Sequence, residues 1–405
     1  MAASLIDQLR FLGRFLLRPK VTGAVAPSSP QLVAAMLEKM GVDEARAIAE
    51  LGPGTGVATV EILRRLASEA QFLAVEKDPA WVALLRRRHP ELDVEHVTGG
   101  GGDQGIGGHA GGLVELDWDG NLVWELENPW MHHDFQRLEN GNTLALVWEE
   151  LSSDMTFRVK GGFTTAEDPV QMLGDVVREF SPKGEVVHEW KSWEHLDFDT
   201  DVICPLEGRR EWTHGNSINV TADGDYLVSF RQTSTVGILD RESGRFTWKW
   251  GPGEVSHQHN PSFLDNGRVL LFDNGSHRRA PNTNYSRIVE IDPANNDIAW
   301  DYRGEPAISF YSYQISGAER QPNGNTLICE GATGRFIEVT SGHQIVWEYI
   351  NPLFADSGRL AGGSSSGRAN SVFRAHRFSP DAPALEGRDL DPAKYGNLNR
   401  ILGTS

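Results

Sequence analysis

The chain has 405 residues, 39% of them hydrophobic and 23% charged, with a formal net charge of −18. That balance fits a soluble globular protein of one large or two smaller domains, and it excludes nucleic acid as a partner, because phosphate binding needs clustered Lys and Arg. No run approaches the roughly 18 apolar residues of a membrane span, and the two cysteines, Cys204 and Cys329, lack the spacing of a disulfide framework or a zinc site.

The N-terminal stretch "MAASLIDQLRFLGRFLLRPK" reads as an amphipathic helix. Leu5, Leu9, Leu12, Phe15 and Leu16 fall near one face, with Arg10, Arg14, Arg18 and Lys20 as basic flanks. Two placements stay open: on an anionic membrane surface, or packed on the domain that follows. Charges interrupt the apolar residues and no small-residue cleavage site follows, so the stretch does not read as an export signal.

Next, helix and strand patterns alternate. "SPQLVAAMLEKM" has helical periodicity, "ARAIAEL" is a short strand, "ATVEILRRLASEA" a helix and "QFLAVE" a second strand. "PAWVALLRRRHP" follows as a helix and "LDVEHV" as a third strand, which implies a parallel α/β sheet. Between the first strand and its helix, "AELGPGTGVATVEIL" places Gly52, Gly54 and Gly56 where backbone can approach a ligand at a helix N-terminus. Glu50 precedes them, and Glu76 ends the second strand, where a carboxylate can accept from ribose hydroxyls. No Gly-Lys-Ser/Thr follows, so this is not a nucleotide P-loop.

After the glycine-dense stretch "HVTGGGGDQGIGGHAGG" (96–112) the pattern changes to short strands rich in Val, Ile, Trp, Phe and Tyr. A hairpin usually closing on Trp recurs at 113–126, 176–190, 236–250, 288–302 and 336–349. A second kind of hairpin follows four of these, at 134–146, 217–230, 260–272 and 317–329. Two hairpins make a four-stranded blade, and the repetition predicts a β-propeller with about five blades evident. The glycine stretch has no helix after it, so it is not a dinucleotide loop; it reads as a seam between an incomplete first domain and the propeller, whether a natural fusion or a gene-assembly error. The expected division is 1–98 for the partial α/β segment, 99–112 for the junction, 113–390 for the propeller and 391–405 for a tail.

Equivalent blade positions point to a site. Eight residues before the turn glycines Gly141, Gly224 and Gly267 stand His133, Asn216 and His259; ten before stand His214 and His257. Arg231 lies seven residues after Gly224. A two-residue step keeps side chains on one face of an extended segment, so these groups are expected to converge near the central channel on one small anionic ligand. Imidazoles with an Arg suit a tetrahedral oxyanion. One imidazole can act as a nucleophile; a zinc or copper site is the rival reading, but no carboxylate stands at an equivalent register, although Asp134 adjoins His133, and no metal is assigned.

Two resemblances sharpen this. Residues 5–98, through "RFLLRPKVTGAVAPSS", "ELGPGTGVAT" and "AVEKD", resemble the start of class I S-adenosylmethionine methyltransferases, closest to bacterial phospholipid N-methyltransferases. That resemblance implies a cofactor half-site at Glu50, Gly52, Gly54, Gly56 and Glu76, and membrane contact through residues 1–20; only three of the fold's seven strands are supplied. Residues 107–390, through "PWMHHDFQRLENGNTLAL", "REWTHGNSINV", "WGPGEVSHQHNPSFLDNGRVLLFDNGSH" and "SGAERQPNGNTLICEG", resemble the bacterial arylsulfotransferase propellers, which are six-bladed. That family passes a sulfuryl group between phenols through a sulfohistidine. Carried over, His259 is the nucleophile, His214, Asn216 and Arg231 hold the sulfate, and His133 stands beside them, with His257 and His132 as further neighbours. The family needs no cofactor, and its members are exported, which leaves the compartment open here. Two other readings remain: a non-catalytic ligand- or partner-binding propeller tethered to membrane, and a methyltransferase remnant.

Overall fold

The computed structural model forms two units, Met1–Gly102 and Asp103–Ser405. It describes residues 33, 37, 42, 47–51, 56–66, 71–76, 85 and 93–96 of the first. Of the second it describes residues 108, 111–118, 121–164, 172–278, 283–356 and 368–391.

In the first unit, β1 (Ala47–Leu51), β2 (Gln71–Glu76) and β3 (Asp93–His96) pair in parallel in that order. Helix α1 (Val57–Arg65) sits between β1 and β2 in sequence. Its Val57, Ala58 and Ile62 pack with Val33, Leu37, Val42, Ile48 and Phe72, the one-sided apolar spacing of a helix lying on a sheet. Gly56 caps α1 in the left-handed region at φ 82°, and a Cβ there would meet Leu85 Cδ2 at 2.8 Å. A side chain at that position is therefore opposed twice, by backbone conformation and by space. Residues 1–20 lie outside the described residues, and among those described no helix is long and apolar enough to cross a membrane.

The second unit is built from antiparallel sheets. The hairpin β4 (Gly112–Leu116) and β5 (Leu122–Glu127) comes first. Sheet I holds β6 (Met131–Arg137), β7 (Thr143–Glu150), β9 (Leu173–Phe180) and β10 (Val186–Lys191). Within and after it, α2 (Ser153–Arg158), β8 (Gly161–Phe163), α3 (Ser192–His195) and β11 (Ile203–Gly208) form an excursion in which β8 pairs with β11. Sheet II is β12 (Gly215–Val220), β13 (Tyr226–Phe230), β14 (Thr235–Leu239) and β15 (Phe246–Trp250). Sheet III is β16 (His259–Phe263), β17 (Val269–Asp273), β18 (Arg287–Ile291) and β19 (Ile298–Arg303). Sheet IV is β20 (Gly317–Arg320), β21 (Thr326–Glu330), β22 (Arg335–Val339) and β23 (Ile345–Ile350). First strands neighbour one another, β6 beside β12, β12 beside β16 and β16 beside β20, and the main apolar clusters lie between consecutive sheets. This is propeller architecture.

The blade boundary differs from the sequence expectation. The Trp-closing hairpin ends a sheet rather than beginning one: β6–β7 pairs with the hairpin at 176–190, not with 113–126. Repetition fixes a period but not its phase. Among the described residues four sheets have four strands, and the first of the five recurring hairpins, β4–β5, is a two-stranded sheet.

Two recurring contacts order the sheets. The indole N–H of Trp124, Trp190, Trp248 and Trp300 each donates to the following sheet's outer turn, at Pro182 O, Gly244 O, Asn296 Oδ1 and Ser341 O. Each such bond contributes roughly 0.5–1.5 kcal/mol. A glutamate on the strand before the Trp-bearing one also reaches an arginine at the end of the next first strand, as in Glu115–Arg137 and Glu290–Arg320. Glu338 pairs with Arg377 in the same way, which places residues 374–377 in a first-strand position after sheet IV. That segment also reaches sheet I, where Arg374 donates to both oxygens of Asp134 at 3.0 and 3.1 Å. Cys329 is buried near Val372 O, and no disulfide joins it to Cys204.

Candidate functional site

The first strands carry their polar residues on irregular backbone. Register shifts interrupt β6 between His132 and Phe135, β12 between Gly215 and Ser217, and β16 between His259 and Ser262. His133, His214 and His257 all sit at left-handed φ, 52°, 52° and 57°. Bulges of this kind re-aim side chains near sites. The simple alternation expected from a two-residue step does not hold, although the imidazoles still gather.

His259 is buried, and its ring orientation is fixed. Asn274 donates Nδ2–H to Ser312 O at 2.8 Å and Ile315 O at 2.9 Å, which turns its Oδ1 toward His259. His259 Nδ1 lies 2.8 Å from Asn274 Oδ1 and 3.1 Å from His257 O. Both are acceptors, so Nδ1 carries the hydrogen and Nε2 keeps a lone pair. Burial, with repulsion from Arg231 and His214 outweighing the hydrogen bond to Asn274, pulls its pKa down to about 3.

The other two histidines are anchored by carboxylates. His214 donates Nδ1–H to Glu211, which is itself buried. His133 Nδ1 lies 2.9 Å from His132 Nδ1, and His132 Nε2 lies 3.2 Å from Asp175 Oδ1. Burial raises the Asp175 carboxyl, but His132, Thr213 and the Gly215 N–H outweigh it and hold the acid ionised below its ordinary range. His132 stacks on Trp148 at 4.0 Å between ring centroids. The His133 and His214 rings meet edge-on at 4.5 Å. Burial first, then repulsion from His214, His132, His259 and Arg231, keeps His133 well below its ordinary pKa.

Arg231 follows β13 and donates its backbone N–H to His214 O at 3.0 Å. Its guanidinium lies 2.9 Å from Glu207 Oε1, and its charge disfavours protonation of His133, His257, His259 and His277. Asn216 is buried and donates Nδ2–H to Gln258 O at 2.8 Å, between His257 and His259, so it ties sheet II to sheet III.

The geometry thus brings His133, His214, His259 and Arg231 together, with His132 behind His133. Pattern reading missed Asn274, Glu211, Asp175 and Glu207. Glu211 and Asn274 stand inside the stretches "REWTHGNS" and "LFDNGSH", where they resemble ordinary turn residues. The glycine stretch contributes as well: Gly108, at φ 86°, accepts the His133 N–H at 2.6 Å, and a Cβ on it would fall 2.2 Å from the imidazole. Phe373 adds a ring 6.3 Å from that of His133.

In the first unit, Thr59 Oγ1 donates to Glu50 Oε2 at 2.6 Å. Gly56 holds the α1 N-terminus. Glu76 is the last residue of β2, its side chain outside the described residues, as are Gly52 and Gly54.

Stacked four-stranded sheets that gather imidazoles and one guanidinium at their first strands define a β-propeller with a polar site. Residues 98–352 match the family described as Arylsulfotransferase (ASST), and the chain belongs to that family. The N-terminal part is 35% identical over 82 residues to the ornithine lipid N-methyltransferase of Singulisphaera acidiphila. That match covers 20% of this chain and 43% of the relative, so the chain spans less than half the length of the curated relative it matches. Similar solved structures include a protein of unknown function from Bacteroides caccae, 17% identical at TM-score 0.39, covering 60% of this chain and 75% of the other. A streptogramin B lyase is 14% identical at TM-score 0.35, covering 60% of this chain and 63% of the lyase.

Proposed function

We propose that the propeller transfers a sulfuryl group from an aryl sulfate to an acceptor phenol through His259. The observation that carries this is the His259–Asn274 hydrogen bond, which leaves Nε2 as a fixed, neutral nucleophile. In the first half-reaction the Nε2 lone pair forms a bond to sulfur, the sulfur–aryl oxygen bond breaks, and the aryl oxide leaves with that electron pair. In the second, the acceptor phenol gives its proton to His214 Nε2 and its oxygen attacks sulfur. The nitrogen–sulfur bond breaks and its electrons return to His259. The proton on His214 then neutralises the departed aryl oxide, so the cycle balances. His214 is suited to this because Glu211 stabilises the imidazolium that forms. Arg231, the guanidinium among these groups, holds the sulfuryl oxygens; removal of a comparable charge-stabilising donor costs about 10²–10³ in rate.

The test is release of p-nitrophenol from p-nitrophenyl sulfate with phenol as acceptor. The expected result is turnover by the full chain and none by H259A of unchanged circular dichroism. Equal rates for the two, or no turnover by a folded wild-type chain, would overturn the reading in favour of a propeller that only binds its ligand.

A second reading concerns the first unit alone. Its parallel sheet, the Glu50–Thr59 contact and left-handed Gly56 favour a half-site for S-adenosylmethionine, with Glu50, Gly52, Gly54, Gly56 and Glu76 as the residues that would hold it. When bound, that cofactor supplies an electrophilic methyl group. Calorimetry of the full chain with S-adenosylmethionine should give saturable heat that is lost in G56V; an absence of heat would remove this reading.

A further inference from the structure

Beside the sulfuryl-handling residues lies a second group of ligand-type side chains. Cys204 comes from β11, His257 precedes β16, and His277 follows β17. One donor atom from each lies within 4.8 Å of the others. Cys204 Sγ is 3.6 Å from His277 Nδ1, and the two imidazoles meet edge-on at 4.7 Å. His257 is wholly buried, and neither of its ring nitrogens makes a hydrogen bond of normal geometry. Buried polar atoms are nearly always satisfied, and this imidazole has only the Ser276 backbone and the Glu207 carboxylate nearby without a well-formed bond to either, which leaves it open to a further partner. Glu207 Oε1 stands 3.6 Å from both His257 Nε2 and His277 Nδ1.

The separations fit a shared ion. Tetrahedral zinc binds sulfur at about 2.3 Å and nitrogen or oxygen at about 2.0–2.2 Å, which puts neighbouring ligand atoms about 3.4–3.6 Å apart. Among the three donors, Cys204 Sγ and His277 Nδ1 already stand 3.6 Å apart, and the pairs that include His257 lie within 4.8 Å, a distance the side chains can close around one ion. One thiolate and two imidazoles favour a borderline-soft ion over magnesium or calcium, which prefer all-oxygen shells.

We propose that Cys204, His257 and His277 bind one zinc ion, with Glu207 as the adjoining carboxylate that balances its charge. The site is distinct from the nucleophile, because His259 Nδ1 is already engaged by Asn274 and His257 O. It holds β11 of the excursion against sheet III, and through Glu207 it anchors Arg231, which pairs with the same carboxylate. Sequence spacing concealed it, since Cys204 and His277 stand 73 residues apart.

The experiment uses the full chain, stripped with a chelator and titrated with cobalt(II). The expected result is a thiolate-to-cobalt charge-transfer band and tetrahedral ligand-field bands that saturate at one equivalent and disappear when zinc is added. C204S should lose the charge-transfer band, and H277A, which removes a direct ligand, should weaken binding by more than the roughly 10–100-fold that loss of an outer-shell partner costs. H259A should keep the full spectrum, which separates this site from the transfer reaction. A saturable band surviving C204S, or no band in a chain with native near-ultraviolet dichroism, would overturn the assignment. If C204S fails to fold, H277A decides: its ring is part-exposed, and unchanged cobalt affinity in that variant would also overturn it.

Discussion

The two sides of the propeller site orient the same side chain with different chemistry. On sheet III an amide holds His259: Asn274 fixes Nδ1–H without adding charge. On sheets I and II carboxylates hold the rings, Glu211 at His214 and Asp175 behind His132 and His133. An amide acceptor favours a neutral imidazole with a free lone pair, whereas a carboxylate also stabilises the protonated ring. Under the proposed reaction the contrast would put nucleophile and proton carrier on different blades, because a ring that has taken a proton can no longer attack sulfur.

The largest effect is expected at the proposed nucleophile, where H259A should abolish transfer from p-nitrophenyl sulfate. N274D exchanges one kind of anchor for the other. It should lower kcat by about 10²–10⁴, the scale of losing a well-placed acid–base arrangement, while leaving KM for the aryl sulfate little changed. A fall in KM with unchanged kcat would break the comparison. E211Q removes the charge behind His214 but keeps its hydrogen bond. It should cost about 10²-fold in kcat with a poor phenol acceptor and less with an acidic one, read from steady-state rates across a series of phenols.

D175N probes the carboxylate side through stability. Removing that buried acceptor should destabilise the unit by about 1–3 kcal/mol near pH 7, measured by urea unfolding. The sign with pH follows from its depressed pKa. Asp175 binds its proton less readily folded than unfolded, so its contribution is fully present above the unfolded value of about 3.9. It is lost as pH falls through the folded pKa. The gap between wild type and D175N should therefore shrink below about pH 4, while the gap between wild type and N274A should not follow this titration. Parallel curves for the two variants would erase the distinction between the anchors.

Much of this was legible in the residues. Periodic hairpins announced a propeller, and the motifs around His133, His214, His259 and Arg231 named groups that the fold does bring together. The alternation of helix and strand before residue 98 likewise anticipated the parallel sheet of β1, β2 and β3. Less could be read of the supports. Asn274 looks like a turn residue until its amide is seen bonded to Ser312 and Ile315 from the connection into sheet IV. Asp175 lies in the interior of β9, far in sequence from Thr213 and Gly215, whose groups it accepts.

What the sequence determined by itself was the repeat and the inventory of imidazoles, since strand periodicity and turn chemistry are local properties. The blade phase, the first-strand position of residues 374–377, and the packing of Gly108 on His133 were decided by tertiary structure. A repeat read along the chain has no marked beginning; the beginning is set where sheets stack and bury their shared apolar faces. Ring tautomers are likewise set in space, by which acceptor meets Nδ1, and those acceptors come from strands and connections that only the fold brings near.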